Sequence, residues 1–196
     1  MLQEKLKDYN VILASGSPRR QNFFRDLGLD FEIRLKPVKE EYPPTLRHFE
    51  ITNYLAQLKS LPFENELKDN DILITSDTIV WHNDEALGKP RNAEEAFAMI
   101  KSLSGNTHEV ITSVCIKTKT FQKTVYATTQ VTIKELSNKE IQYYINTFNP
   151  YDKAGAYGIQ EWFGYIGVTH IEGSYFNVMG LPTHLVYKTL NSIVNG

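Results

Sequence analysis

Arg19 and Arg20 close the segment Leu13-Ala14-Ser15-Gly16-Ser17-Pro18-Arg19-Arg20, in which an apolar run gives way to small residues and then to a proline suited to open a helix. Cations in a first helical turn meet the positive end of the helix dipole, at a cost of ~0.3 to 1 kcal/mol each. A bound anion reverses that sign. Backbone N–H groups at the helix start, the Ser15 and Ser17 hydroxyls and two guanidinium forks would together cradle a polyphosphate. The competing reading sends both arginines into solvent, and the dipole argument favours the cradle. The segment is not a P-loop, since the glycine spacing and the Gly-Lys-Ser/Thr ending are absent.

Asp77 follows the apolar run Ile72-Leu73-Ile74 within Ser76-Asp77-Thr78, where α/β proteins place ligands at strand ends. Such a carboxylate could hold Mg2+ or activate water; a surface aspartate capping a turn is the plainer alternative. Gly88-Lys89-Pro90 fixes a lysine in a glycine-proline loop, which suits a phosphate contact or a solvated turn. Lys153-Ala154-Gly155-Ala156-Tyr157-Gly158-Ile159-Gln160 has the small residues that let backbone approach a flat ligand, with one amide to read a base edge. An ordinary glycine-rich loop would have the same composition. His48, His82, His108, His170 and His184 show no metal-ligand spacing, and there is no Gly-x-Ser-x-Gly elbow, so zinc and serine hydrolases are poor fits.

The elements that must position these residues come from 196 residues, enough for one domain that buries roughly 70% of its unfolded surface. Hydrophobic residues at 41% and charged residues at 22% exclude a disordered tail, and a net charge of -2 removes the electrostatic case for polymeric nucleic acid or an anionic membrane as partner. The only cysteine, Cys115, lies in apolar Val114-Cys115-Ile116, which excludes a disulfide framework and predicts a buried core residue. No apolar run is long enough to span a bilayer and the N-terminus lacks a signal-peptide pattern, so the expected location is cytoplasmic.

Val11–Ala14 predicts a strand, and a helix follows from Pro18, capped by Ser17 and ended by Gly28 in the left-handed conformation. Phe31–Leu35 reads as a second strand, and Leu46 to about Pro62 as a helix with Lys59 beside its apolar face. Ile72–Ile74 is a third strand, interrupted by the polar triplet before Ile79-Val80-Trp81 and a turn at His82–Glu85. Asn92 with Glu95, and Ser137 with Glu140, are capping patterns that open two amphipathic helices. Val110–Lys117 and Val125–Lys134 form an expected hairpin, and Leu185, Val186, Leu190 and Ile193 mark a last helix. The class is α/β, with a mixed sheet and flanking helices in one continuous domain, 1–196.

Taken together, Leu13–Arg20, Ser76-Asp77-Thr78, Gly88-Lys89-Pro90, Leu103-Ser104-Gly105 with Thr107-His108, Asp152–Gln160 and Ile171–Tyr175 resemble the Maf family of nucleoside triphosphate pyrophosphatases, in that family's order. The resemblance implies a largely elongated mixed sheet like that of the inosine triphosphate pyrophosphatases, with two lobes around a cleft. It implies hydrolysis between the α and β phosphorus atoms with Mg2+ or another divalent cation. Ser15, Arg19, Arg20, Lys59, Lys89 and Gln160 would bind the nucleoside triphosphate, and Asp77 would be catalytic and a metal ligand. Lys59 rests on Leu55-Ala56-Gln57-Leu58-Lys59, which is similar to the family's Leu-Ala-x-x-Lys. Glu40 would match a metal-binding glutamate that the family has after an aspartate; here Lys39 takes that aspartate's place and breaks the acidic pair. A homodimer is a further expectation from the family.

Ala154–Gln160 resembles the dTTP- and UTP-preferring subgroup. Gln160 offers one donor and one acceptor to a uracil or thymine edge. Two other readings compete. One is a nucleotidyltransferase, although Pro18 stands where its second glycine belongs. The other is a nucleotide-binding regulator of cell division or septum formation without turnover, which the retained Asp77 opposes.

Overall fold

In a computed structural model, which describes residues 1–194, fifteen named elements follow one another along the chain. They are α1 (Leu2–Lys5), β1 (Asn10–Leu13), α2 (Pro18–Asp26), β2 (Glu32–Ile33), α3 (Phe49–Ser60), β3 (Asp71–His82), β4 (Glu85–Leu87) and α4 (Ala93–Leu103). After these come β5 (Thr107–Lys117), β6 (Gln122–Ile133), α5 (Asn138–Phe148), α6 (Trp162–Gly167), β7 (Val168–Glu172), α7 (Tyr175–Val178) and α8 (Thr183–Ile193). The seven strands form one mixed sheet in the order β2-β1-β3-β5-β6-β7, with β4 paired to β3. The chain divides into two compact units, the first comprising Met1–Asp77, Thr112–Ala127 and Gly180–Gly196, the second Thr78–Ile111 and Thr128–Met179.

In the first unit β1 pairs in parallel with both β2 and β3, Leu13 lying opposite Ile33 on one side and Ile74 on the other. Parallel strands buried on both faces read as continuous apolar runs, and Val11, Ile12, Leu13, Ile72, Leu73 and Ile74 are all buried. Ile12, Phe63, Leu67 and Leu73 form a small core cluster there. Phe23 and Phe24 are the buried face of α2, and Gly28 past its end takes the expected left-handed φ of 66°. Ser17 occupies the N-cap position of α2 with no side-chain capping bond. The turn is instead tied from upstream, where Ser15 Oγ accepts the Ser17 N–H at 3.3 Å.

Several boundaries differ from the sequence reading, β5 and β6 each starting three residues earlier than predicted, at Thr107 and Gln122. β2 holds two residues, both exposed, where the sequence predicts a strand over Phe31–Leu35. α3 opens at Phe49 after His48 at φ 52°, three residues later than the apolar spacing from Leu46 predicts. Most consequentially, β3 runs unbroken for 12 residues through Ser76-Asp77-Thr78, whose side chains are buried or half-buried instead of forming a turn.

In the second unit β4 returns antiparallel on β3, with Val80 opposite Leu87, and β7 lies antiparallel on β6. Asn92 Oδ1 accepts the Glu95 N–H at 2.9 Å, and Ser137 with Glu140 completes a reciprocal capping box, as both patterns predict. α4 and α5 then set Ala96, Ile100, Leu103, Ile141, Tyr144 and Ile145 into a core shared with Val80, Val110, Val131 and Phe163. Cys115, on β5, is fully buried. No helix among the described residues is long and apolar enough to cross a membrane.

Candidate functional site

Asp77 ends the first of the three chain segments in the first unit, and the β3 pleat aims its carboxylate away from water, leaving the residue 6% exposed. Lys59, from the last turn of α3, reaches it with Nζ 2.6 Å from Oδ1. That lysine also lies 3.2 Å from Glu40 Oε1, so one ammonium joins two carboxylates. α3 is held against β3 at this level by Thr75 Oγ1, which donates to the Ala56 carbonyl at 2.6 Å. The register places Lys59 opposite Asp77 from three residues further along the helix.

Burial pushes the Asp77 carboxyl up from its ordinary value; Lys59 and then Arg20 pull it back, and Glu40 adds to the rise. An upward shift is what a proton acceptor working near neutral pH requires. Two carboxylates on one cation also form a donor set that fits a hard divalent ion. Such ions take one or two protein carboxylates and complete their shell with substrate phosphates and water. No group of three or more acidic, histidine or cysteine ligands occurs among the described residues, so Asp77 and Glu40 are the candidates.

Arg20 holds the helix side of this site. Its Nε donates to the Gly180 carbonyl at 2.8 Å, and its Nη1 donates to the Ser76 carbonyl at 3.0 Å and lies 3.5 Å from Ser15 Oγ. Gln21 adds a bond from Nε2 to the Ser15 carbonyl at 3.1 Å. Burial works against the Arg20 charge, Asp77 supports it and Arg19 opposes it. The guanidinium that the sequence assigns to an anion alone is thus also a strut among β3, the Ser15 turn and the entry to α8. Arg19 lies beside it on the first turn, half-buried.

The structure therefore gathers Ser15, Arg20, Lys59, Asp77 and Glu40 within the first unit. Lys89 and Gln160 belong to the second. There the exposed Lys89 follows Gly88, whose carbonyl accepts the Gly155 N–H at 3.0 Å, so the lysine loop and the Ala154–Gln160 loop are joined. Gly155 has φ 67°, and a Cβ there would stand 2.7 Å from Val80 Cγ2, which explains glycine at that position. The half-buried Gln160 sits in a turn closed by the Glu161 N–H donating to the Gly158 carbonyl at 3.1 Å.

Sequence reasoning gave no role to the groups that fix this loop, although His108, Asp152, Lys153 and Tyr157 fall within the motifs it quoted. Tyr157 Oη lies 2.7 Å from His108 Nε2, with the rings at 82°. Burial, reinforced by His82, holds the His108 imidazole down to about 3, so it is neutral. Lys153, buried, bridges Asp152 at 2.6 Å and Glu161 at 3.1 Å. Tyr144 Oη accepts the Gly158 N–H at 2.9 Å and donates to Glu161 Oε2. Their only trace in the sequence is polarity at otherwise apolar positions, which spacing alone does not separate from surface.

Comparison with known proteins follows the same lines. The family model described as Maf-like protein matches residues 10–193. A relative from Flavobacterium johnsoniae named dTTP/UTP pyrophosphatase is 66% identical over 194 residues, covering 99% of this chain and 100% of the relative. A protein of the same name from Christiangramia forsetii is 57% identical over 195 residues, with 100% of both chains covered. One from Phocaeicola vulgatus, again so named, is 48% identical over 191 residues, or 97% of this chain and 99% of the relative. Among solved structures, the Staphylococcus aureus Ham1 protein is similar in fold, with a TM-score of 0.53 at 18% identity over 94% of this chain and 99% of that one.

Proposed function

The chain belongs to the Maf family, and from that premise we propose that it is a nucleoside triphosphate pyrophosphatase that hydrolyses dTTP and UTP to the monophosphate and pyrophosphate. The observation that carries the reading is Asp77, a buried carboxylate with Lys59 and Arg20 around it. The full-length relatives named dTTP/UTP pyrophosphatase support the substrate class.

In this reading a water oxygen bonds to the α phosphorus, the bond to the pyrophosphate oxygen breaks, and Asp77 takes the water's proton. Burial raises the affinity of Asp77 for that proton, while Lys59 keeps the carboxylate ionised beforehand. Ser15, Arg19, Arg20, Lys59 and Lys89 bind the triphosphate, and cations at those positions offset charge building on the leaving pyrophosphate. Asp77 and Glu40 would hold Mg2+ or another divalent cation, whose bound form neutralises phosphate charge. Gln160 reads the base edge through its amide, and a mismatched base leaves buried polar groups unpaired. The same reading treats 1–196 as a single Maf-like domain, acting in the cytoplasm on free nucleotides as a homodimer.

Incubation with a nucleotide panel and Mg2+, with separate assays for pyrophosphate and orthophosphate, tests this. One pyrophosphate per dTTP or UTP is expected, with no turnover without a divalent cation. Orthophosphate as first product, or a requirement for a sugar 1-phosphate, overturns it. A purine triphosphate as best substrate overturns the base preference alone.

A further inference from the structure

Gln160 is bracketed by a closed hydrogen-bonded circuit. Gly158 and Glu161 are the first and last residues of its turn, joined by the backbone bond of 3.1 Å. Both also meet a single phenol: Tyr144 Oη accepts the Gly158 N–H at 2.9 Å and gives its own proton to Glu161 Oε2. The other oxygen of Glu161 pairs with Lys153 at 3.1 Å, which ties the end of the loop to its beginning. Tyr144 is fully buried on α5, in ring contact with Phe148 and Phe163, so its hydroxyl position is set by the core. At Gly158 an added Cβ would stand 2.8 Å from Glu161 Cδ, which shows how tightly the carboxylate folds back over the turn. On the other side Gly164 passes so close to Ile159 that a Cβ would overlap its carbonyl.

Burying a phenol, a lysine and a glutamate together carries a desolvation cost that their mutual bonds must offset. A buried tyrosine hydroxyl can be satisfied by one carbonyl, and a lysine and glutamate reach water at less expense outside a core. Here Tyr144 and Glu161 both bind one four-residue turn, with Lys153 shared between Glu161 and Asp152, and the half-buried amide of Gln160 lies against that turn, its Nε2 3.1 Å from where a Cβ on Gly158 would stand. We propose that Tyr144, Glu161 and Lys153 are positioning residues that fix the Gln160 turn and thereby set base selectivity, an inference that rests on Gln160 reading the base. They act through Gln160 and make no contact with the reacting atoms.

The experiment measures kcat and KM of wild type, Tyr144→Phe, Gln160→Leu and the double variant for dTTP, UTP, CTP and GTP. Tyr144→Phe keeps the ring and removes the phenol from the Gly158 N–H and from Glu161 Oε2, while Glu161 Oε1 keeps Lys153. It should lower the preference for dTTP and UTP over CTP and GTP by roughly tenfold, the worth of one buried polar group left unpaired. The loss should appear in KM for dTTP and UTP, with kcat little changed. In the Gln160→Leu background the same change should lower selectivity no further. Glu161→Gln, which keeps an acceptor for Tyr144, should retain selectivity that Glu161→Leu loses. If Gln160→Leu erodes selectivity and Tyr144→Phe does not, the positioning role is wrong while the base reading stands. If wild type lacks the preference, or Gln160→Leu leaves it intact, the base reading fails and this inference with it. Equal losses for all four nucleotides, with a lower Tm and no recovery in Glu161→Gln, would make the circuit structural only and overturn the proposal.

Discussion

Replacing Arg20 separates two roles that the sequence alone assigns differently from the structure. If both arginines only await an anion, Arg20→Ala relieves repulsion at the helix start and leaves the ligand-free protein no less stable. The structure instead gives Arg20 two carbonyl acceptors, Gly180 at 2.8 Å and Ser76 at 3.0 Å, on segments distant from α2 in the chain. Hydrogen bonds from a charged donor contribute about 1.5 to 3 kcal/mol each. Against their loss stand the relieved burial of the guanidinium, about 0.3 to 1 kcal/mol recovered from the dipole, and water entering the space to reach the carbonyls. The net expectation is a loss of roughly 2 to 4 kcal/mol.

For a chain of this size 1 kcal/mol corresponds to ~2 to 4 °C in Tm, so Arg20→Ala should melt roughly 5 to 15 °C lower. The assay is thermal unfolding in nucleotide-free buffer, with a chelator present to remove divalent cations. Arg20→Lys keeps the charge, but one ammonium on a flexible stem cannot span both carbonyls as the planar fork does, so it should recover only part of the loss. An unchanged or raised melting temperature for Arg20→Ala would refute the strut and restore the anion-only account.

Asp77→Asn should lower kcat by about 10² or more with the fold retained, because the amide neither takes a proton nor carries charge; turnover near that of wild type removes Asp77 from the chemistry. His108, held down to about 3 by burial and then by His82, makes the protein acid-labile. Below ~6.5 the unfolded chain takes a proton that the folded one refuses, so stability falls as pH drops toward 3, with a slope approaching 1.4 kcal/mol per pH unit. Denaturant unfolding of His108→Phe between pH 6 and 4 should show a flatter slope by about that amount, whatever its stability at neutral pH. An identical slope would place His108 in contact with water.

What was legible in the sequence is what local rules decide. α4 and α5 announce themselves by side chains that cap their own helix within three residues, and Gly28 by the left-handed conformation that only it adopts cheaply. β3 was not legible in full, since Ser76-Asp77-Thr78 breaks the apolar pattern. Its burial is made tolerable by partners far along the chain, Lys59 for Asp77 and Arg20 for the Ser76 carbonyl. α6, β7 and α7 were missed for a different reason: runs of four to six residues are too short to display a period. β7 adds little, since only Val168 and Ile171 are apolar and half-buried there and they do not alternate.

The candidate site divides along the same line. Arg20 and Asp77 could be singled out because each stands where a simple rule is violated, a cation at a helix start and a carboxylate beside an apolar run, with Ser15 entering as a hydroxyl in the turn before that helix and Lys59 only through the resemblance of Leu55–Lys59 to the family's pattern. Among the groups that violate no rule visible in one dimension, Tyr144 and Glu161 escaped, and Lys153 and His108 entered only within quoted motifs, without a role. A tyrosine on an apolar helix face is an ordinary core residue until its hydroxyl is seen accepting the Gly158 N–H. The pairing of Lys153 with Glu161 shows only in the fold. Chemistry at the phosphates is thus written in residue types, whereas the control of a reading turn is written in which buried polar atoms share a partner. That second kind of information is carried by packing, and a single substitution of one hydroxyl, Tyr144→Phe, addresses it while leaving the apolar pattern of α5 unchanged.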